Sequence, residues 1–288
     1  MELFTLWLWP LLALILLPGL LVYFGLHVVE RGIIFVDLAL AQIAALGICV
    51  AIALGAHPGH DALPWVLSVV FTLLGAGLFA WTRFNHPRVP QESIIGIIYV
   101  VSAAAATLVL SHTAEGDEAL KNLLVGNVLL VTKGEVLRTF GLFAVIGTVH
   151  MLLRKRFLLV TFHEQEAKSQ GVALRLWDFL FYATFGLTVV SFVQITGVYL
   201  VFSYLIVPAV CGALLSARIR TRLVIGWLVA LAAGVSGLLL SVKLETLDLP
   251  TGPTIVCCFG ALLIGCAAVM LVQRGRKSDG TTGRSRIA

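Results

Sequence analysis

Residues 30–47 read ERGIIFVDLALAQIAALG, and this stretch decides the fold. From Ile33 the run stays apolar to Gly55, interrupted only by Asp37 and Gln42. About 20 such residues, rising about 1.5 Å each, span the hydrocarbon core of a bilayer. A carboxylate inside the run costs about 2.5–3.5 kcal/mol on insertion scales, so Asp37 must face a cavity, a cation or a partner.

Working outward, the same apolar pattern recurs along the whole chain. The runs fall at roughly 4–26, 33–55, 63–82, 93–111, 136–153, 177–195, 197–216, 223–242 and 254–272. A shorter run at 119–132, ALKNLLVGNVLLVT, is too short to cross alone and reads as a re-entrant or broken piece. The 288 residues are 59% apolar and only 12% charged. A soluble domain carries about 25% charged residues. These numbers exclude a cytosolic enzyme, a DNA-binding module and a disordered chain, and they predict one all-α polytopic bundle in a lipid bilayer. The net charge of +5 comes from basic residues between the apolar runs, so it points to membrane topology and to no nucleic acid. The N-terminal run has no basic leader and no small-residue cleavage site, which predicts a retained first helix. The five cysteines at 49, 211, 257, 258 and 266 all sit in apolar runs and are expected to be small buried hydrophobes. Gly75/Gly77, Gly186, Gly212, Gly234/Gly237 and Gly260/Gly265 are expected at close helix contacts.

Charge orients the bundle. Arg154, Lys155, Arg156, Lys168 and Arg175, then Arg218, Arg220 and Arg222, then the tail beyond residue 273, carry most of the basic residues. These regions should be cytoplasmic, with the loop at 243–253 outside. Nine crossings put the N-terminus outside and Arg31, Arg83 and Arg88 in the cytoplasm. Counting 119–132 as a tenth crossing puts the N-terminus inside. Residues 273–288, rich in Gly, Ser, Thr and Arg, are expected to be a mobile tail after a membrane domain at 1–272.

No phosphate-binding loop, zinc-protease helix or nucleophile elbow occurs, and no cofactor is expected. Function must therefore lie in polar residues within the apolar runs. Asp37 reads as a cation-attracting acid lining a pathway, or alternatively as a partner of Arg31 near the interface. Gln42 lies five residues on, about 140° around a helix, so the two share a face only loosely. His57 and His60 with Asp61, and His112 with Glu115, Asp117 and Glu118, hold metal-capable side chains, or simply populate wet loops. His27, His86, His150 and His163 form no recognisable constellation. In the cytoplasmic stretch 154–176, Glu164, Ala167 and Gly171 follow an acid-x-x-Ala-x-x-x-Gly spacing that would leave a notch on one helix face. That piece either docks in a groove of a soluble partner or lies on the membrane surface. Gln194-Ile195-Thr196-Gly197 leaves almost no loop between two runs, and Pro208 interrupts the second, as in the broken helices of transporters.

ERGIIFVDLALAQIAALG, ESIIGIIYVVSAAAATLVL, LKNLLVGNVLLVTKGEV, FHEQEAKSQG, VSFVQITGVYLVFSYLIVPAVCGALL and LPTGPTIV together resemble the permease subunit of metal-importing ATP-binding-cassette transporters, the zinc/manganese/iron permease family, from about residue 5 to 272. The resemblance implies a homodimer with a metal pathway between the copies. It implies two cytoplasmic ATPase subunits docked at Glu164–Gly171, and an extracytoplasmic solute-binding protein that delivers zinc or manganese by alternating access. Similarity to the larger type II importers implies nine full spans plus a short gate segment, with His112, Glu115, Asp117 and Asn127 at the gate. It also favours an inside N-terminus and an external Arg31. The family commonly places a His four residues after the helix-two Asp. Here that position is Ala41, with Gln42 one step beyond, so Asp37 and Gln42 are the tentative metal-pathway residues. The competing class is an ion- or proton-coupled secondary transporter using Asp37 as carrier, followed by a membrane scaffold with no pathway.

Overall fold

The computed structural model describes residues 2–56, 61–82, 89–111, 131–243 and 249–282, with residues 2–7, 17, 194 and 274–282 given by their backbone. His57, His60, His86, Glu118 and the expected gate residues His112, Glu115, Asp117 and Asn127 lie outside the described residues.

Among the described residues all regular structure is helical: α1 Glu2–Arg31, α2 Val36–Ala53, α3 Leu63–Trp81, α4 Gln91–Leu110, α5 Lys133–Leu152, α6 Arg154–Phe162, α7 Glu164–Ser169, α8 Leu174–Thr196, α9 Val198–Leu215, α10 Ile219–Lys243 and α11 Thr251–Thr282. All but α6 and α7, nine in number, are long and apolar enough to cross a membrane. Helices satisfy their backbone polar groups internally, which is why the apolar runs map so closely onto them. α5 begins with a reciprocal cap: Thr132 Oγ1 accepts from the Glu135 amide while the Glu135 carboxylate accepts from the Thr132 amide. Gly197, at φ +77°, makes the one-residue break between α8 and α9.

The core lies where α1, α2, α3, α8 and α9 meet, around Phe24, Phe79, Phe181, Phe185 and Tyr204. Small residues allow close approach. A Cβ at Gly25 would overlap the Leu205 carbonyl, and the backbones of Gly47 and Gly237 sit against Leu67 and Ile255. Gly75, Gly186, Gly212 and Gly234 also make close contacts, whereas Gly260 and Gly265 face open space. The reason is that α11 sits at the periphery of the bundle. For the same reason the expectation of five buried cysteines fails: Cys49 and Cys211 are buried, but Cys257 on α11 is exposed and Cys258 and Cys266 are half-buried. α11 also runs on to Thr282, so the first part of the expected tail continues the helix. Extending an existing helix avoids a new nucleation cost.

The connections settle which ends lie together. At the C-terminal end of α1, Arg31 contacts Asp178 at the start of α8 and Thr161 in α6. α4 starts at that same end, because the Phe35 amide donates to Glu92 and Gln91 Nε2 donates to the Phe79 carbonyl. α5 begins at the opposite end, where Val131 and Val136 pack on Ala13 and Ile195. It finishes with His150 against Tyr23 and Thr184. Thus α4 ends and α5 begins at the same end. Arg31, the 154–176 stretch, the α9–α10 turn and the C-terminal end of α11 share one end. That end carries most of the basic residues, the pattern expected of a cytoplasmic face, which would leave the start of α1 on the outer side. The contacts to Asp178 and Thr161 hold Arg31 at the same end as the 154–176 stretch, which agrees with the charge pattern and goes against an Arg31 on the opposite side from that stretch. In intact cells, a membrane-impermeant thiol reagent should label a cysteine placed at Leu54 or Ala62. It should reach one at Ser169 or Ser216 only after lysis, and the reverse pattern would contradict this topology.

Candidate functional site

Asp37 stands in the first turn of α2, where the helix dipole favours a negative charge. It is 2% exposed, and its Oδ1 has no hydrogen-bond partner. Arg31 is not its partner, because the guanidinium is engaged by Asp178 at 2.9 Å. Glu92, at the start of α4, reaches this same helix start. Glu92 Oε1 caps α2 by accepting from the Phe35 amide at 3.0 Å, and its Oε2 is buried without a partner. Two adjacent helix starts thus hold two carboxylates, each with an unpaired buried oxygen. An unsatisfied buried polar group costs about 1–3 kcal/mol, more if charged.

A cavity of about 390 Å³ opens next to this pair, between α2, α4 and the start of α9. Leu38, Gln42 and Ala45 form its α2 wall, one helix face at successive turns. Tyr99, Ala103, Ala106 and Thr107 come from α4, and Val198, Tyr199 and Phe202 follow the Gly197 break. Its polar lining is Gln42, Tyr99, Thr107 and Tyr199. Asp37 is not in the lining. The 140° separation along α2 divides the two residues: Gln42 faces the cavity, and Asp37 lies off it, about 7.5 Å nearer the end that carries Arg31. Among the described residues no group of three or more His, Cys, Asp or Glu side chains could hold a metal ion.

The arm at 154–176 departs from its expected shape. α7 ends at Ser169, Ala167 is fully buried, and Gly171 lies past the helix at φ +70°. The Gly171 amide donates to the Lys168 carbonyl and the Val172 amide to the Ala167 carbonyl, closing the helix with a left-handed residue. Ala167 and Gly171 therefore do not form the expected notch, because the helix stops before the second of them. Glu164 pairs with Lys168 at 2.8 Å, and the outward face carries Gln165, Glu166 and Ser169.

His27 and His150, unassigned from sequence, belong to a buried polar cluster. His27 Nδ1 lies 2.7 Å from Thr161 Oγ1, and His150 Nε2 lies 2.8 Å from Thr184 Oγ1. His150 also stacks on Phe157, with 4.1 Å between ring centroids. One sequence signal does point there: Tyr23, His27 and Arg31 recur every fourth residue, a polar stripe on one face of an apolar helix.

The model of the ABC 3 transport family matches residues 4–270. The manganese transport system membrane protein MntC of Halalkalibacterium halodurans is 25% identical over 232 residues, which cover 81% of this chain and 76% of that protein. The chelated iron transport system membrane protein YfeD of Yersinia pestis is 30% identical over 172 residues, 60% of this chain and 57% of that protein. Among solved structures, PsaBC from Streptococcus pneumoniae in complex with Fab has the same fold, with a TM-score of 0.74 at 21% identity over 91% of this chain and 90% of that one.

Proposed function

The chain belongs to the ABC 3 transport family, and from that membership we propose that it is the permease of an ATP-driven importer whose cargo is a divalent transition metal, manganese fitting best. It is a multi-pass membrane protein of the bacterial inner membrane and a transport subunit, not an enzyme; ATP is hydrolysed on a separate subunit. The observation that carries the cargo reading is the unpartnered Asp37 oxygen beside Glu92, one and a half helical turns from the cavity-facing Gln42. These donors are all oxygen. Carboxylate, carbonyl and water suit manganese, whereas zinc prefers imidazole and thiolate. Two relatives carry manganese and chelated iron in their names, which supports the same choice over zinc.

In this reading the cavity receives the ion from the outer side, and alternating access then brings it to Asp37 and Glu92. Residues 1–272 are the permease domain. A second copy completes the pathway, an extracytoplasmic metal-binding solute-binding protein supplies the ion, and two ATPase subunits dock on the arm at 154–176. Excess iron should compete with radiolabelled manganese uptake more strongly than equal zinc. Stronger competition by zinc would reverse the assignment of cargo.

The outward face of α7 is the ATPase contact. Gln165 and Ser169 lie on the same side of the helix, opposite Ala167. The double variant Gln165→Arg/Ser169→Arg should lose most ATPase co-purification without loss of bundle stability, because two long charged side chains replace two exposed neutral ones. Unchanged co-purification would remove α7 from the docking role. Ala167→Arg is a poorer probe, since it strikes the packing of the arm itself.

The buried acid also supports a second reading, a proton-coupled secondary transporter with Asp37 as carrier. That protein would need no ATPase and would respond to a pH gradient alone.

A further inference from the structure

We propose that Arg31, Thr161 and Asp178 form the joint that passes motion of the ATPase-docking arm to both walls of the cavity; this rests on the permease reading above. Arg31 ties α1 to two other elements, α6 and α8. Its Nη1 donates to Asp178 Oδ1 of α8 at 2.9 Å, and its Nε donates to Thr161 Oγ1 of α6 at 3.0 Å. Its guanidinium lies 4.2 Å above the Phe181 ring. The two charged side chains are 7% and 0% exposed, so the pair carries a desolvation cost. Apolar residues would fill this space at no electrostatic cost, yet the site joins partners 130 and 147 positions apart.

Thr161 is a two-sided connector. Its hydroxyl oxygen accepts from Arg31 Nε, and it lies 2.7 Å from His27 Nδ1, to which its proton can go. It stands two residues before His163, the residue that caps α7. Displacement of α7 therefore reaches Thr161 through a single turn of α6.

Two routes leave the joint. Arg31 precedes the tight turn at Gly32, φ +66°, and the chain then enters α2, which carries Asp37, Leu38 and Gln42. Asp178 opens α8, which runs to the Gly197 break and the opposite cavity wall at Val198, Tyr199 and Phe202. Arg31 thus sits where the cytoplasmic arm meets the roots of both α2 and α8. A loosened joint would leave ATP hydrolysis intact while the cavity walls no longer follow it.

The test uses the full permease–ATPase complex in proteoliposomes, with ATP hydrolysed and manganese imported measured on the same sample. Thr161→Val removes only the hydroxyl and keeps the ion pair. Arg31→Lys keeps the charge facing Asp178 but loses the planar fork that also reaches Thr161. Both should assemble and hydrolyse ATP near the wild-type rate while manganese imported per ATP falls at least about fivefold, the lower range of an energetic coupling. Adding Thr161→Val to Arg31→Lys should lower the ratio little further, because both act at one joint. An unchanged ratio in both variants, or hydrolysis and uptake falling in proportion, overturns the joint. A wild-type complex that imports nothing with ATP overturns the permease reading itself.

Discussion

Asp37→Ala removes ATP-driven manganese uptake while the permease still folds and binds its ATPase. The two halves of this expectation have separate physical grounds. Asp37 makes no ion pair, and its Oδ1 has no partner. Its loss therefore strands no buried charge and relieves a buried one. The cation, in contrast, loses its main compensating group. A unit charge pair at 4 Å is worth about 4 kcal/mol at an effective dielectric of about 20, and a divalent ion feels more. Half of that already lowers occupancy by more than about tenfold. Asp37→Asn keeps an oxygen donor and loses the charge, so it should be nearly as inactive. Transport assays on complexes matched for ATPase content check this, and wild-type uptake by Asp37→Ala would take the residue out of the pathway.

Gly25→Val should sharply lower both the recovery and the thermal stability of the bundle. A Cβ at Gly25 would overlap the Leu205 carbonyl, with the Ala209 Cβ 3.1 Å away. The obstruction is backbone, so α1 and α9 must separate. Overpacking typically costs about 1–3 kcal/mol and more where the backbone must move. The damage spreads to Phe24, Val28 and Leu205, which share the central core. Gly96→Ala on α4 is the control. Nothing lies within 4 Å of its Cβ position, and replacing a helical glycine by alanine gains up to about 1 kcal/mol of helix propensity. Thermal melts in detergent should separate the two clearly. Equal melting temperatures would mean that α1 and α9 do not pack as described.

Much of the fold is legible in the sequence because a bilayer leaves a segment few choices. The apolar run at 63–82 became Leu63–Trp81, and Gln194–Gly197 became a one-residue break at Gly197. What one run says about another is weaker. Arg31 and Asp178 are 147 positions apart, so the ion pair does not follow from local pattern, although the charge pattern alone grouped Arg31 with the 154–176 stretch. The resemblance to larger importers favoured separating Arg31 from the 154–176 stretch, and the contact of Arg31 with Thr161 goes against that. The candidate site is half legible. Asp37 and Gln42 stand out by polarity and sit about 140° apart as helix geometry requires, but Glu92 lies at the start of another run with nothing local to link it to Asp37. The expected shape of the arm at 154–176 fails for another reason. The notch assumed a helix continuing to Gly171, whereas Gly171 adopts the left-handed conformation that ends one.

The most direct test of the account is manganese uptake into proteoliposomes containing the permease with and without its cognate ATPase subunits. The account predicts accumulation only with the ATPase and internal-face ATP, none under a pH gradient alone, and none with Asp37→Ala under either condition. Accumulation driven by a pH gradient in the absence of the ATPase would contradict it.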